Sequence, residues 1–210
     1  MSNRLIVFDL GRVLVRICDG WQDAFARAGV SLRHDVLDEA TRARLLEGVK
    51  RIEVGDMEVD AFCAEVAGHL GLPCETVTTM WRGYSLGPFD GGEALLADLA
   101  AAGVATACLS NTNAEHWRVL TDPADPHGRV VNRLDHQFAS HLVRARKPDP
   151  AIYAHVERAT GFAPEQIVFF DDLAENIATA KQRGWAAHLI DRCENPIPTI
   201  REHLRAAGVL

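Results

Sequence analysis

The chain has 210 residues, 48% of them hydrophobic and 24% charged, with a formal net charge of −7. That composition carries enough apolar side chains to offset the entropy of ordering the chain, and it excludes a disordered segment. The negative balance argues against nucleic acid or an anionic membrane as the main partner, and no apolar run approaches the roughly 18 residues of a membrane span.

The N-terminus runs directly into an apolar strand, Leu5-Ile6-Val7-Phe8, which predicts no signal peptide. A continuous apolar run of this length, ending in Asp9 and Gly11, reads as a buried parallel strand. Helical spacing follows: Trp21, Phe25 and Ala28, then Val36, Leu37, Leu45 and Leu46, then Val59, Phe62, Cys63, Val66 and Leu70. Gly29, Gly55 and Gly71 punctuate these runs, so residues 16–86 read as all-helical with little β signal. The pattern changes at Gly87-Pro88. A helix over 93–102, closed by Gly103, precedes a strand over 104–109 that leads into Ser110-Asn111. Thr112 and Glu115 fit a capping box for the next helix. Residues 121–136 read as a loop insertion, and 138–140 as a short strand. Asp149 as N-cap with Pro150 at the first helical position opens a helix to about Thr160. A strand over 167–170 ends in Asp171-Asp172, a helix over 174–183 closes at Gly184, and a strand over 186–190 and a helix over 198–207 finish the chain.

Alternating strands and helices predict an α/β fold with a Rossmann-like, doubly wound parallel sheet. The helical block is then an insertion, giving an α/β core of residues 1–15 and 87–210 and an all-helical cap of 16–86. The five cysteines, Cys18, Cys63, Cys74, Cys108 and Cys193, are odd in number and never spaced C-x-x-C. They read as small core residues of a reduced, cytoplasmic protein rather than as disulfides or zinc ligands.

Ligands of open α/β sheets bind beyond the carboxyl ends of the strands. Asp9, Ser110, Lys147 and Asp171-Asp172 all fall there or in the loop following a strand, so the fold gathers them. Clustered carboxylates repel unless a cation joins them, and aspartate oxygens with a backbone carbonyl suit Mg²⁺. Lys147 and Ser110 suit a phosphate, and an aspartate in line with phosphorus can attack it.

These pieces resemble the haloacid dehalogenase superfamily, in the branch with a helical cap after the first strand. The resemblance rests on 8–15 (FDLGRVLV), 109–113 (LSNTN), 146–153 (RKPDPAIY) and 168–172 (VFFDD) followed by Asn176, and it covers essentially the whole chain. Within the superfamily, the motifs are most similar to bacterial α-D-glucose-1-phosphate phosphatases and to the phosphatase domain of soluble epoxide hydrolase. The resemblance implies Asp9 as nucleophile and Mg²⁺ ligand, the Gly11 carbonyl and Asp172 as further ligands, and Ser110 with the Asn111 backbone N–H on the phosphate. Lys147 would balance the charge. Asp171 would hold metal-bound water or Lys147, and Asn176 would orient Asp172 or the loop.

One departure stands out. Most phosphatases of the superfamily carry a second aspartate, a general acid and base, where this chain has Gly11; Arg12 then stands where Gly or Asn is usual. A missing general acid costs roughly 10²–10⁴ in rate unless something replaces it. An anomeric leaving group that needs little protonation is the leading explanation; a proton from a cap residue or water, and a protein that binds but turns over poorly, follow. Arg12 has two readings, substrate contact or a pair with a nearby acid. Arg16, Asp19, Trp21 and Trp81 are candidates to read the leaving group, the tryptophans more readily as cap packing. His116, His136 and His141 read as surface or structural. The expected function is a Mg²⁺-dependent phosphomonoesterase acting on a small phosphorylated metabolite, a sugar phosphate first. A 2-haloacid dehalogenase and a phosphate-ligand binding protein are the alternatives, and the oligomeric state is open.

Overall fold

The computed structural model describes residues 4–32 and 38–210; Val36 and Leu37 of the expected helical pattern lie outside them. In chain order the first half comprises β1 (Leu5–Phe8), β2 (Val15–Ile17), α1 (Trp21–Arg27), α2 (Glu39–Glu53), α3 (Val59–Leu70), α4 (Cys74–Arg82), β3 (Ser85–Pro88) and α5 (Gly92–Ala101). Then come β4 (Ala105–Ser110), α6 (Ala114–Leu120), α7 (Gly128–Val131), β5 (His136–Ala139), α8 (Ser140–Val143) and α9 (Pro150–Thr160). The chain ends with β6 (Ile167–Asp171), α10 (Ala174–Gln182), β7 (Ala186–Leu189) and α11 (Ile197–Ala206).

Five strands form one sheet in the order β5-β4-β1-β6-β7, with every pairing parallel. The order reverses at β1: the chain moves outward on one side to β4 and β5, then returns to lay β6 and β7 on the other. All four residues of β1 are fully buried, because helices cover both faces of the sheet. Side chains alternate between those faces along a strand. Ile6 and Phe8 join Leu95 and Leu99 of α5 and Ile200 and Leu204 of α11, whereas Leu5 and Val7 join Ile152 and Val156 of α9 and Ile177 of α10.

The helices α1 to α4 pack on one another around a separate apolar cluster that includes Phe25, Leu45, Ile52, Phe62, Val66 and Met80. At their base β2 and β3 pair antiparallel, Val15 opposite Pro88 and Arg16 opposite Gly87. The expectation of little β structure in 16–86 fails at both ends of that segment for this reason. Strands of three and four residues, paired across some 70 positions of chain, leave no local periodicity to read.

Three further readings change. Asn113, not Thr112, caps α6: its side chain accepts from the backbone N–H groups of Glu115 and His116, both at 3.1 Å. Residues 121–136 are not wholly loop, since they contain α7. The short strand begins earlier, at His136, and Ser140 opens α8 instead of ending the strand. By contrast Asp149 caps α9 as expected, accepting from Ala151 N–H at 2.8 Å. Cys18, Cys63 and Cys108 are buried, but Cys74 and Cys193 are exposed, so only three of the five thiols serve a core.

Candidate active site

β1 ends at Phe8, and the Asp9 backbone N–H donates to Phe170 O at 2.8 Å, which carries the β1–β6 ladder one residue further. That places Asp9 beside Asp171, the last residue of β6. Lys147, in the loop between α8 and α9, reaches between them: its Nζ lies 2.9 Å from Asp9 Oδ1 and 2.7 Å from Asp171 Oδ2. The lysine is 1% exposed and Asp171 is wholly buried. Burial pushes the Lys147 ammonium toward neutrality, but the carboxylates of Asp171 and Asp9 outweigh it and hold its pKa above the usual lysine value. Burial, with the charges of Asp171 and Asp172, pushes Asp9 up to about 7 against the opposing pull of Lys147.

Each partner of Lys147 is itself held. Asp171 accepts from Asn176 Nδ2 at 2.9 and 3.0 Å and from the Leu173 backbone N–H at 2.8 Å. Asn176 therefore orients Asp171, not Asp172. The Lys147 backbone is clamped by the Asn111 side chain, whose Nδ2 donates to Lys147 O at 2.9 Å while its Oδ1 accepts from Lys147 N–H at 2.8 Å. The peptide bond from Lys147 to Pro148 is cis.

Asp172 is different. Its Oδ2 is buried and accepts no hydrogen bond, and Arg12 Nη1 stands off at 3.8 Å. Burial and the neighbouring Asp171 raise its pKa, opposed by Arg12. A buried carboxylate oxygen without a partner is costly unless a cation satisfies it. One oxygen each from Asp9, Asp171 and Asp172 lie within 4.8 Å of one another. With Asp171 already occupied by three donor groups, Asp9 and Asp172 hold the free acceptors. That donor set, hard oxygens in a partly buried cluster, fits a small divalent cation such as Mg²⁺.

Arg12 pairs with acids: it stands 3.8 Å from Asp172 and reaches Asp19 at 3.5 Å and the Cys18 carbonyl at 3.3 Å. Its backbone sits at φ 60, the left-handed region where Gly or Asn is easier to place. Gly11 lies in the same turn. A Cβ there would meet Ile17 Cδ1 at 3.3 Å, so Ile17 occupies the space into which a side chain at 11 would project.

Gly11, Ser110 and Asn111 line a cavity of about 290 Å³ between the carboxyl edge of the sheet and the helical insertion. Trp21 and Trp81 line it as well as packing within the insertion, where Trp81 meets Phe62 at 4.9 Å and Trp21 at 6.0 Å between ring centroids. Arg16 and Asp19 do not line it: Arg16 Nη2 donates to Leu86 O at 3.4 Å, and exposed Asp19 pairs with Arg192 at 3.0 Å. His116 has a structural place, stacked on Trp81 and hydrogen-bonded to its carbonyl at 2.8 Å, and burial lowers its pKa. His136 stacks on Phe138.

Several cavity residues escaped the sequence reading. Leu46, Val49 and Glu53 of α2 line it, and their spacing of three and four places them on one face of that helix. That spacing was the available signal. Glu53 also ties the insertion to the core, accepting from Arg146 Nε at 2.8 Å; burial raises its pKa and Arg146 opposes the rise. Tyr84 and Ser85 line the cavity too, and Ser85 Oγ is 2.7 Å from His127 Nε2, whose Nδ1 meets Asp125. Among the described residues no helix is long and apolar enough to cross a membrane.

A parallel sheet thus gathers an aspartate after its central strand, a buried lysine and an acidic pair at one carboxyl edge, the arrangement of an α/β protein with its site beyond the strand ends. The match to a family model is specific: residues 4–184 fit the haloacid dehalogenase-like hydrolases, and the chain belongs to that family. It is 28% identical to a sesquiterpene phosphatase of Aspergillus oryzae over 145 residues, 68% of this chain and 72% of the relative. Its fold is similar to a HAD-like family hydrolase of Porphyromonas gingivalis, with a TM-score of 0.76, 27% identity and 98% and 99% of the two chains covered. A HAD family enzyme of Bacteroides thetaiotaomicron, solved with magnesium and inorganic phosphate, shares the fold at a TM-score of 0.72 and 19% identity, over 91% of this chain and 96% of that one.

Proposed function

We propose that this hydrolase is a Mg²⁺-dependent phosphomonoesterase acting on a small phosphorylated metabolite. The observation that carries the reading is the Asp9–Lys147–Asp171 chain, with an Asp172 oxygen beside it that accepts no hydrogen bond and has only Arg12 at 3.8 Å. The phosphatase name of the Aspergillus relative and the magnesium and phosphate bound by the Bacteroides enzyme support it.

Asp9, the Gly11 carbonyl and Asp172 would hold the metal. When bound, Mg²⁺ supplies positive charge against the carboxylates and the phosphate oxygens. The protein residues do the rest. Ser110 and the Asn111 backbone N–H hold the phosphate, and Lys147 balances the charge shared by Asp9 and the ester. An Asp9 oxygen attacks phosphorus, the bond to the leaving oxygen breaks, and an aspartyl-phosphate forms. The leaving oxygen takes its proton from water, because position 11 has no side chain to deliver one. A second water attacks the phosphorus, the bond to the Asp9 oxygen breaks, and the proton it gives up neutralises the hydroxide left by the first, so phosphate leaves and Asp9 is again a carboxylate. Asp171 and Asn176 act as positioning residues for Lys147, and Arg12 as one for Asp172. The insertion shields the site from bulk water.

Phosphate release from a panel of esters, sugar phosphates among them, with Mg²⁺ or EDTA, tests the reading. Turnover should vanish with EDTA, return with Mg²⁺, and be absent in Asp9→Asn. Retained turnover in that variant refutes Asp9 as nucleophile. Metal-independent chloride release from 2-chloropropionate would establish a dehalogenase instead, and tight phosphate binding without turnover a binding protein. The Asp172 oxygen that accepts no hydrogen bond favours a metal-dependent site over the metal-independent dehalogenase, and turnover separates the phosphatase from a binding protein. The exposed free thiols Cys74 and Cys193 suit a reducing cytoplasm.

A further inference from the structure

The cavity above Ser110 is walled with carbon. Ile17, Trp21, Leu46, Val49, Trp81 and Leu120 all face it. Four of its polar side chains beyond the phosphate subsite are engaged elsewhere, while the buried Trp81 Nε1 in its wall has no hydrogen-bond partner. Arg146 holds Glu53 at 2.8 Å, His127 holds Ser85 at 2.7 Å, and His116 is bound to the Trp81 carbonyl at 2.8 Å. Asn113 is occupied by the α6 N-terminus and by His116 at 3.2 Å. A polyol placed here would lose water from those of its hydroxyls that face the apolar wall, with Tyr84, Thr112 and Trp81 Nε1 as the polar groups there to replace it. Among the described residues no lysine or arginine lines the cavity, and Glu53 adds negative charge to its wall. A second anionic group on the ligand is therefore disfavoured. Ile17, filling the space beside Gly11, extends the apolar surface to the place where the leaving group begins.

We infer that the ester bound by this site is the monophosphate of an apolar alcohol, its short alkyl or aryl part lying against Trp21, Trp81, Leu46 and Val49. The inference rests on the phosphate subsite of the proposed function and turns away from the sugar phosphate suggested by Gly11. The cavity of about 290 Å³ sits at the small end of ligand pockets, which span roughly 300–1,000 Å³.

The test uses the Mg²⁺-loaded protein and two matched series, n-alkyl phosphates for turnover and n-alkyl phosphonates for calorimetric affinity, from methyl to octyl. Glycerol 1-phosphate and glucose 6-phosphate complete the panel. Both kcat/KM and phosphonate affinity should rise about fourfold per methylene until the cavity is full. Butyl phosphate should exceed either polyol ester. Val49→Thr keeps the side-chain shape, and so the fold, while adding a hydroxyl to the wall; it should flatten the slope for chains long enough to reach it. A flat series, a preference for glucose 6-phosphate, or an unchanged slope in Val49→Thr overturns the inference. The two readings fail separately. Turnover without chain-length dependence removes the apolar ester and leaves the phosphatase standing, whereas chain-length-dependent phosphonate binding without hydrolysis of any ester does the reverse.

Discussion

Replacing Asn111 by alanine removes both hydrogen bonds that clamp the Lys147 backbone, at 2.9 and 2.8 Å. Lys147 is 1% exposed, so its freed N–H and carbonyl have little access to water. Two net hydrogen bonds contribute about 2 kcal/mol, and two buried groups left unsatisfied raise the cost, giving about 2–4 kcal/mol for the substitution. For a chain of this size each kcal/mol moves the melting temperature by roughly 2–4 °C, so a loss near the middle of that range appears as roughly 6–12 °C. The Lys147 Nζ bridges Asp9 and Asp171, and releasing its backbone lets the ammonium drift. A displacement of about 1 Å in such a group lowers kcat/KM by roughly 10²-fold. Urea unfolding and phosphate release measured on the same preparation separate the two effects. A stability change under about 0.5 kcal/mol in Asn111→Ala, with kcat/KM unaltered, would show that the clamp does not position the lysine.

Three further outcomes follow from packing and exposure. Trp81→Ala empties a site in contact with Phe62, Trp21 and His116, and by the cost of deleting a buried tryptophan it should destabilise the protein by about 3–5 kcal/mol, read as a lowered urea midpoint. Cys74 and Cys193 should react with a thiol reagent in the native protein, while Cys18, Cys63 and Cys108 react only on unfolding; burial pushes Cys63 up to about 11 and Cys108 up to about 12, and early labelling of either would contradict that packing. Glu53→Gln removes the ion pair that ties α2 to Arg146 and one negative charge from the cavity wall, so KM for a phosphate ester should not rise; a raised KM would show that the Glu53–Arg146 pair shapes the site.

The chemistry-bearing positions were legible in the chain because their signals are local. β1, β4 and β6 are short apolar runs, each buried on both faces, so they appear as continuous hydrophobic segments with a polar residue where they stop. Asp9, Ser110 and Asp171 mark those stops, and Asp149-Pro150 announces α9 by capping chemistry alone. Other features depend on residues distant in sequence, and the folded chain decided them. The pairing of Val15 with Pro88 has no local periodicity. Asn176 lies one helical turn past the acidic pair, and only its placement in α10 turns its amide to Asp171 instead of Asp172. Arg12 has two chemically reasonable kinds of partner, and only the fold brings Asp19 and Asp172 within its reach. The cavity wall is assembled from α2, α4 and the β2–β3 ladder, elements whose order in the chain says nothing of which faces meet. Local sequence thus determined which groups end the strands, because backbone burial and termination are short-range matters; tertiary packing decided what each group touches, because hydrogen-bond partners are set by side chains that converge only when the sheet and the insertion close on each other.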